Sequence, residues 1–249
     1  MNKSQRQAKL VEIINQKKKV SVNELVEIFE VSAVTIRKDL TDLDAAGLIV
    51  RTHNFAELAD YDSISRRLSY HFKEKTEIAK KATDLVADGE TIMIESGSCC
   101  AIFAKSLVMI RKNLTIITNS VFIADYLKET EAQIIVLGGI YQNNSQVLIG
   151  PVLADSVKNY KVDKLFIGAD GYSEEWGFSN KDPFRGEAVR HMASRADSVI
   201  VLTESHKFES PGSLSLGLKG KVKTVVTDEN INKKAKDHLR ASGIKLILS

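Results

Sequence analysis

The chain has 249 residues, of which 43% are hydrophobic and 27% are charged, a composition that can form hydrophobic cores and excludes a largely disordered chain. Its length suits two domains better than one small module, and its net charge of only +3 does not identify a class of partner. No apolar run approaches the ~20 residues that cross a membrane. The basic N-terminus lacks the apolar core of a signal peptide, so we expect a cytoplasmic protein without membrane partners.

The two cysteines are adjacent, Cys99 and Cys100, and neighbouring cysteines rarely pair or form a disulfide framework. The five histidines show no metal-ligand spacing with the cysteines or with one another. The sequence therefore predicts no metal site and no cofactor.

Three helices are predicted in the first 45 residues. Leu10, Ile13 and Ile14 at helical spacing predict a first helix over 5–16. Ser21 is the expected N-cap of a second helix over 22–30, because Glu24 follows at capping-box spacing. Val31 and Ser32 then form a short turn, and Ser32 caps the third helix.

The first 19 residues carry six Lys or Arg against one acid, Glu12, which gives 6 − 1 = +5. Such a run often marks only a solvated face. Beside a helix-turn-helix pattern, the same charges favour contacts with DNA phosphates.

The third helix has two distinct faces. Ile36, Leu40 and Leu43 recur at i, i+4 and i+7 and predict the core face. Short polar and basic side chains occupy the other face, where a recognition helix places its base and phosphate contacts; the alternative is an ordinary amphipathic surface helix. The acidic residues of this helix are expected to pair locally or to face away from the duplex. The candidate DNA-binding residues are Arg6, Ser32, Val34, Thr35, Arg37, Lys38, Thr41 and Arg51.

A short wing is predicted after the third helix, which Gly47 is expected to end. The β-branched run 48–53 predicts a strand, and residues 55–58 complete a small hairpin. On this winged-helix interpretation, Arg51 reaches a phosphate or the minor groove.

The segment VSAVTIRKDLTDLDAAGLIVRTH resembles the signature of DeoR-family bacterial repressors. Two departures are visible. Lys38 stands where a second Arg is usual, which keeps the charge but loses bidentate geometry. Asn54-Phe55 stand where Gly-Gly is usual, which puts the turn of the wing in question, because Phe disfavours positive φ. The matching residues are Ser32, Thr35, Ile36, Arg37, Asp39, Leu40, Leu43, Gly47, Arg51 and His53.

The predicted domains are a winged helix-turn-helix over 1–58, a polar linker over 59–76 and an α/β domain over 77–249. In the last of these, β-rich runs alternate with helical stretches, which predicts a mostly parallel sheet covered by helices. The predicted strands are 91–94, 114–118, 133–137, 164–167, 198–202, 223–227 and 244–248. The predicted helices include 101–110, 121–129, 187–196 and 233–241.

Small polar residues follow the predicted strands, at the edge where such folds bind ligands. Hydroxyls and backbone N–H groups at helix N-termini form anion sites, and Lys207 adds a positive charge. We predict a phosphate-bearing small ligand, against the alternative that these are plain turns. The candidate effector-binding residues are Glu95, Ser96, Gly97, Ser98, Cys99, Thr118, Asn119, Ser120, Gly138, Gly139, Asp170 and Lys207.

The resemblance to the DeoR family continues through these loops and covers nearly the whole chain. It implies a sensor domain with a fold similar to ribose-5-phosphate isomerase, a phosphorylated sugar as effector, and operator DNA as partner. Glu95, Cys99, Glu204 and His206 depart from the usual residues, which points to a resized pocket. Because helix-turn-helix proteins commonly read two half-sites, we expect a homodimer or homotetramer.

We therefore interpret the chain as a repressor of a carbohydrate-utilisation operon, and not as an enzyme. One alternative is a sugar-phosphate isomerase or acyl transferase with an appended DNA-binding domain, using Asp170, Glu95, Glu204 and Lys207 for acid–base chemistry. Another is an activator built from the same parts. Cys99 near a helix N-terminus would have a lowered thiol pKa and could act as a redox switch, but we favour a small packing residue. For Trp176 we expect burial, with a role in shaping a lid as the alternative.

Overall fold

A computed structural model of the chain describes residues 1–45, 48–51, 54–57 and 63–249. The chain divides into two compact units, Met1–Lys73 and Glu74–Ser249. The predicted boundary after residue 58 falls beside residues outside the described ranges. The predicted linker 59–76 is mainly helical where it is described.

Three helices and a small sheet form most of the first unit. Its core contains Leu10, Leu25, Ile36 and Leu40, all fully buried, so the face predicted to be the core of the third helix is indeed buried. The hydroxyl of Ser21 accepts a hydrogen bond from the Glu24 N–H at 3.1 Å, which confirms the predicted N-cap. The elements are α1 (Lys3–Lys17), β1 (Lys19–Ser21), α2 (Val22–Phe29), α3 (Ala33–Ala45), β2 (Val50–Arg51), β3 (Phe55–Glu57) and α4 (Ile64–Ser69).

The wing is an antiparallel sheet in the order β1-β3-β2. The predicted wing strands are present, and Arg51 pairs with Ala56. Phe55, in the place of a usual glycine, is the first residue of β3 and pairs with Ser21 of β1, so it needs no turn conformation. The strand β1 was not predicted, because three residues are too few to show a pattern. Gly47 and His53 lie outside the described residues.

Helix α4 lies within the segment predicted to be a linker, but it packs on the first unit. Ile64 and Leu68 are each 1% exposed, which is the i, i+4 spacing of a buried helical face. The side chain of Asn15 in α1 donates to the Ser69 carbonyl at 3.1 Å. These residues therefore belong to a folded core and do not act as a spacer.

The second unit alternates strands with helices, as predicted. The elements are α5 (Phe72–Thr83), β4 (Thr91–Ile94), α6 (Ser98–Ile110), β5 (Thr115–Thr118), α7 (Val121–Tyr126), β6 (Gln133–Val136), β7 (Ile140–Gln142), β8 (Val147–Ile149), α8 (Pro151–Ser156), β9 (Val162–Ile167), β10 (Gly171–Ser173), β11 (Gly177–Asn180), α9 (Pro183–Ser194), β12 (Ala196–Leu202), β13 (Leu214–Ser215), β14 (Val222–Thr227), α10 (Lys233–Ala241) and β15 (Lys245–Leu248).

Within residues 74–249, which are all described, a seven-stranded parallel sheet has the order β15-β14-β12-β9-β4-β5-β6. This confirms the predicted fold class. Strand β4 lies between β5 and β9, so the chain switches to the other side of the sheet there, which is where such folds place ligand sites. Two small antiparallel sheets, β7-β8 and β10-β11-β13, were not predicted.

Candidate functional site

The exposed face of α3 carries most of the residues predicted to contact DNA. Val34 is 74% exposed, whereas Ile36 is fully buried, and Arg37, Lys38 and Thr41 are exposed. Among the described residues, neither Arg37 nor Lys38 has an ion-pair partner. The face therefore presents two cations and short side chains to solvent, as a DNA-reading helix does.

The first turn of α3 and the wing support this face. The Ser32 hydroxyl accepts from the Thr35 N–H at 3.2 Å and lies 2.9 Å from the Thr35 hydroxyl. Arg51 of β2 donates from Nη1 to the Thr41 hydroxyl at 2.7 Å. Its backbone N–H donates to the Asp44 carboxylate at 3.1 Å. Arg51 of the wing thus adds a third positive charge, beside those of Arg37 and Lys38, to the exposed face of α3.

Arg6 occupies a different environment from the one predicted. Its Nε lies 2.5 Å from Asp39 Oδ2, and the two side chains are 14% and 2% exposed. This hydrogen bond raises the pKa of Arg6. The ion pair between Arg6 and Asp39 therefore joins α1 to α3 inside the first unit.

Most of the basic N-terminal run pairs with acids of its own unit, and its contact with DNA phosphates stays a prediction. Lys3 pairs with Asp42 at 2.8 Å and Lys19 with Glu57 at 3.1 Å, and Lys17 pairs with Glu24. With Arg6, four of the six basic residues of this run are in ion pairs. The +5 counted from the sequence therefore overstates the charge that this unit offers to DNA.

Glu95 joins the loops after β4 and β9. It is 4% exposed, and its Oε2 accepts from the N–H groups of Gly97 at 2.8 Å and Gly168 at 3.2 Å. Its Oε1 accepts from the Ser96 hydroxyl at 2.9 Å. A Cβ on Gly97 would lie 3.2 Å from the Gly168 Cα, so the two backbones approach closely. The hydrogen bonds of Glu95 and Ser96 thus hold the loops after β4 and β9 together.

The loop after β5 is also tightly bonded. The Thr118 hydroxyl accepts from the Ser120 N–H at 3.1 Å, and the Ser120 hydroxyl caps α7 through the Ile123 N–H at 3.1 Å. Asn119 is 1% exposed and donates from Nδ2 to the Leu148 carbonyl at 3.2 Å. Its Oδ1 is buried without a hydrogen-bond partner among the described residues. Asn119 is therefore the member of this loop that retains an unused acceptor.

Gly138 and Gly139 permit close packing after β6. A Cβ on Gly139 would lie 2.6 Å from the Ile149 carbonyl oxygen, and one on Gly138 would lie 3.1 Å from Val152 Cγ1. Both glycines are half-buried. The approach of β8 and α8 accounts for them without a ligand.

A buried ion pair lies at the loop after β12. Lys75 Nζ lies 3.0 Å from Glu204 Oε1, with side-chain exposures of 3% and 6%. Burial by itself would raise the pKa of Glu204, but the charges of Lys75 and Lys207 and the hydrogen bond from Lys75 outweigh it and lower that pKa to about 2. The sequence does not single out Lys75 as a site residue, because it lies in the polar segment assigned to the linker.

Cys99 is buried beside this pair. Its Sγ lies 3.5 Å from Glu204 Oε2. Burial, and next the Glu204 carboxylate, raise the pKa of the thiol well above its usual range. This corrects the expectation of a lowered thiol pKa at a helix N-terminus. Burial and the nearby carboxylate therefore disfavour a thiolate at this position.

The remaining predicted residues are more accessible. Ser98, Asp170 and Lys207 are half-buried. Ser98 begins α6, whose N-cap provides no side-chain hydrogen bond. Asp170 Oδ2 accepts from the Lys181 N–H at 3.0 Å. Ser98, Asp170 and Lys207 follow β4, β9 and β12, so the structure brings them to the same edge of the sheet.

Asp228 follows β14 and was not among the residues predicted from the sequence. Its Oδ2 accepts from the Ser205 N–H at 2.7 Å, and its Oδ1 accepts from the Asn230 N–H at 3.2 Å. Burial would raise the pKa of Asp228, but these backbone donors lower it. It fixes the start of the loop that carries Lys207.

In the described parts of the chain, no group of three or more His, Cys, Asp or Glu side chains could hold a metal ion. No helix in these parts combines the length and the apolar character that crossing a bilayer requires.

Comparison with known proteins gives matches along nearly the whole chain. Residues 6–61 match the DeoR-like helix-turn-helix domain, and residues 70–229 match the DeoR C terminal sensor domain. The HTH-type transcriptional regulator GolR of Listeria innocua is 31% identical, over 92% of each chain. The putative aga operon transcriptional repressor of Escherichia coli O157:H7 is 30% identical over 98% of this chain and 93% of its own. The HTH-type transcriptional repressor GlcR of Bacillus subtilis is 28% identical over 100% and 97%.

Among solved structures, ribose 5-phosphate isomerase A of Methanocaldococcus jannaschii is 21% identical, with a TM-score of 0.40 over 54% of this chain and 53% of that chain. The two domain matches and the relatives at about 30% identity show that this chain belongs to the DeoR family of DNA-binding transcriptional regulators.

Proposed function

We propose that the chain represses a carbohydrate-utilisation operon and that a phosphorylated sugar controls its binding to operator DNA. Relatives that are 28–30% identical to this chain include the putative aga operon repressor, GlcR and the glycerol-3-phosphate regulon repressor of Escherichia coli. The observation that carries the DNA-binding half is the exposed face of α3, with Arg37 and Lys38 beside Arg51 of the wing.

The DNA-binding half is tested by fluorescence anisotropy with an operator duplex. Replacing Arg37 and Lys38 together with Ala should weaken binding about 100-fold, because each cation contributes ~1–3 kcal/mol if it contacts a base or phosphate. The matched control replaces Lys158 and Lys161, on the surface of the second unit, with Ala. Equal affinity of both double variants would refute the proposed DNA surface.

The proposed effector site lies at the carboxyl edge of the sheet, between Ser98, Asn119, Asp170 and Lys207. A phosphate would bind near Lys207 and the N-terminus of α6, where N–H groups favour anions. A sugar hydroxyl would satisfy Asn119 Oδ1, whose missing partner costs ~1–3 kcal/mol. Since this oxygen is buried, a ligand reaches it only when a loop moves. Binding would therefore select a different loop arrangement, which is what a sensor requires.

The effector half is tested with phosphorylated pentoses, hexoses, hexosamines and glycerol phosphate, each beside its unphosphorylated counterpart. A true effector at ~100 times its Kd should add ~2.7 kcal/mol of stability and change operator affinity. The Asn119→Ala variant should lose most of the response while it still binds the operator. No response to any phosphorylated compound would refute this half and leave the DNA-binding half intact.

We propose binding without turnover in the second unit. Two of the candidate acid–base residues, Glu95 and Glu204, are buried and already bonded to Gly97, Gly168 and Lys75. Incubation with pentose and hexose phosphates should therefore yield no isomer. Isomer formation that Asp170→Asn abolishes would support the enzymatic alternative.

We also propose that the chain forms a homodimer or homotetramer through an edge of its sheet. Strand β6 is an edge strand, and such strands are commonly covered by a partner. Val136, Ile140, Tyr141 and Val152 near this edge are 42%, 61%, 46% and 56% exposed. A second copy would bury these side chains.

Light scattering should show an oligomer for the wild type and a smaller species for Val136→Lys with Ile140→Lys. The matched control is Met109→Lys with Ile110→Lys, two exposed apolar residues at the end of α6. An unchanged mass for the β6-edge variant would exclude this interface.

A further inference from the structure

A cavity, here named the Trp176 cavity, lies in the second unit and has a volume of about 340 Å³. Its lining includes Val222 and Lys223 at the start of β14, and Ser242 to Ile244 just before β15. The predicted effector loops follow the other ends of the strands. At ~3.3 Å per residue, the six residues of β14 separate the two edges by roughly 20 Å. The β14 and β15 wall of the cavity therefore lies at the opposite edge of the sheet from the proposed effector site, and the β10-β11 hairpin, which begins just after Asp170, forms the other wall.

The walls of the cavity are aromatic and apolar on one side. Tyr172, Trp176 and Phe178 of the β10-β11 hairpin line it, together with Leu218. The rings of Tyr172 and Phe178 are 4.9 Å apart, so this wall is packed. Trp176 is 44% exposed, which is unusual for a large aromatic side chain and contradicts burial as its default. Such a wall accommodates the flat or aliphatic body of a small molecule.

The charges on the lining are mainly positive. Lys219 and Lys223 line the cavity, and neither has an ion-pair partner among the described residues. The acidic residue of the lining, Glu174, pairs with Lys234 at 3.2 Å. His238 is hydrogen-bonded to the Tyr172 hydroxyl. The two unpaired ammonium groups therefore favour an anionic group on a ligand.

We propose that the Trp176 cavity binds a small amphipathic anion, with an aromatic or aliphatic body against Trp176 and a carboxylate, sulfonate or phosphate near Lys219 and Lys223. Its volume is within the ~300–1,000 Å³ typical of ligand sites. The proposal does not depend on the sugar-phosphate site.

The test uses 8-anilinonaphthalene-1-sulfonate, an aromatic sulfonate, with the full-length protein. Trp176 is the one tryptophan of the sequence, so its emission is quenched when the sulfonate binds in or near this cavity, and the lysine variants then locate the bound dye. We expect saturable quenching of Trp176 with one molecule bound per chain. Replacing Lys219 and Lys223 with Gln should weaken binding about tenfold, the equivalent of ~1.4 kcal/mol. The matched control, Lys236→Gln with Lys245→Gln, removes the same charge outside the lining and should bind as the wild type does.

Two comparisons make the test decisive. The uncharged N-phenyl-1-naphthylamine should bind the wild type and the Lys219/Lys223 variant equally, because only the anionic group uses the lysines. Lys207→Gln, which alters the proposed effector site, should leave the affinity for the sulfonate unchanged. The proposal is overturned if the Lys219/Lys223 variant binds the sulfonate as the wild type does, if Trp176 emission stays constant during binding, or if Lys207→Gln abolishes binding.

Discussion

Replacing Lys75 with Met tests whether the buried pair with Glu204 stabilises the second unit. In this variant the carboxylate of Glu204, which is almost fully buried, loses the ammonium group of Lys75. Breaking a buried pair in this way costs ~3–5 kcal/mol. The lowering of the Glu204 pKa from 4.5 to about 2 corresponds to a similar free energy, since a tenfold change in proton affinity is worth ~1.4 kcal/mol. We therefore expect a loss of about 3 kcal/mol at pH 7.

The measurement is urea unfolding followed by the fluorescence of Trp176, which lies in the second unit and reports that unit alone. Because the pKa of Glu204 is lowered in the folded state, the wild type has the full contribution above about pH 5 and loses it as the pH falls toward 2. The difference between wild type and variant should shrink over the same range. The double variant Lys75→Met with Glu204→Gln should recover most of the stability. A loss below about 1 kcal/mol for the single variant, or no recovery in the double, would refute the reasoning.

Three further predictions address single residues. Cys99 should resist iodoacetamide at pH 8 until the second unit unfolds, because burial and Glu204 raise its thiol pKa; rapid labelling of the native protein, followed by mass spectrometry, would contradict this. Gly139→Ala should lower the melting temperature through a cost of ~1–3 kcal/mol, since its Cβ would meet the Ile149 carbonyl at 2.6 Å; an unchanged melting temperature would show that β8 moves freely. Leu40→Ala should destabilise the first unit by ~2–5 kcal/mol, measured by amide exchange of α1 and α3.

The parallel sheet could be predicted from the sequence because its inner strands are largely buried on both faces. Runs such as 91–94 and 223–227 are continuous and β-branched, and they occur within about two residues of β4 and β14. The β7-β8 and β10-β11 hairpins are short and partly exposed, so they show no clear alternation. Their pairing depends on neighbours that are distant in sequence.

The candidate site was predicted less completely than the fold. The sequence correctly indicates which loops meet at the edge of the sheet, because strand ends determine that. It does not indicate that Glu95, Thr118 and Ser120 use their polar atoms for neighbouring N–H groups. Lys75 has no local pattern that would distinguish it from a solvated lysine. Its role depends on Glu204, far along the chain, and only the fold brings the two together.

The internal pairing of the N-terminal basic residues has a consequence for the living cell. Counterion release makes the affinity of a protein for DNA fall with salt in proportion to the phosphates that it neutralises. With Lys3, Arg6, Lys17 and Lys19 paired to acids, we expect Arg37, Lys38 and Arg51 to make most of the phosphate contacts. The affinity for operator DNA should therefore fall less steeply with salt than the basic N-terminal run would predict, and osmotic stress that raises the ion concentration of the cell should weaken operator binding correspondingly less.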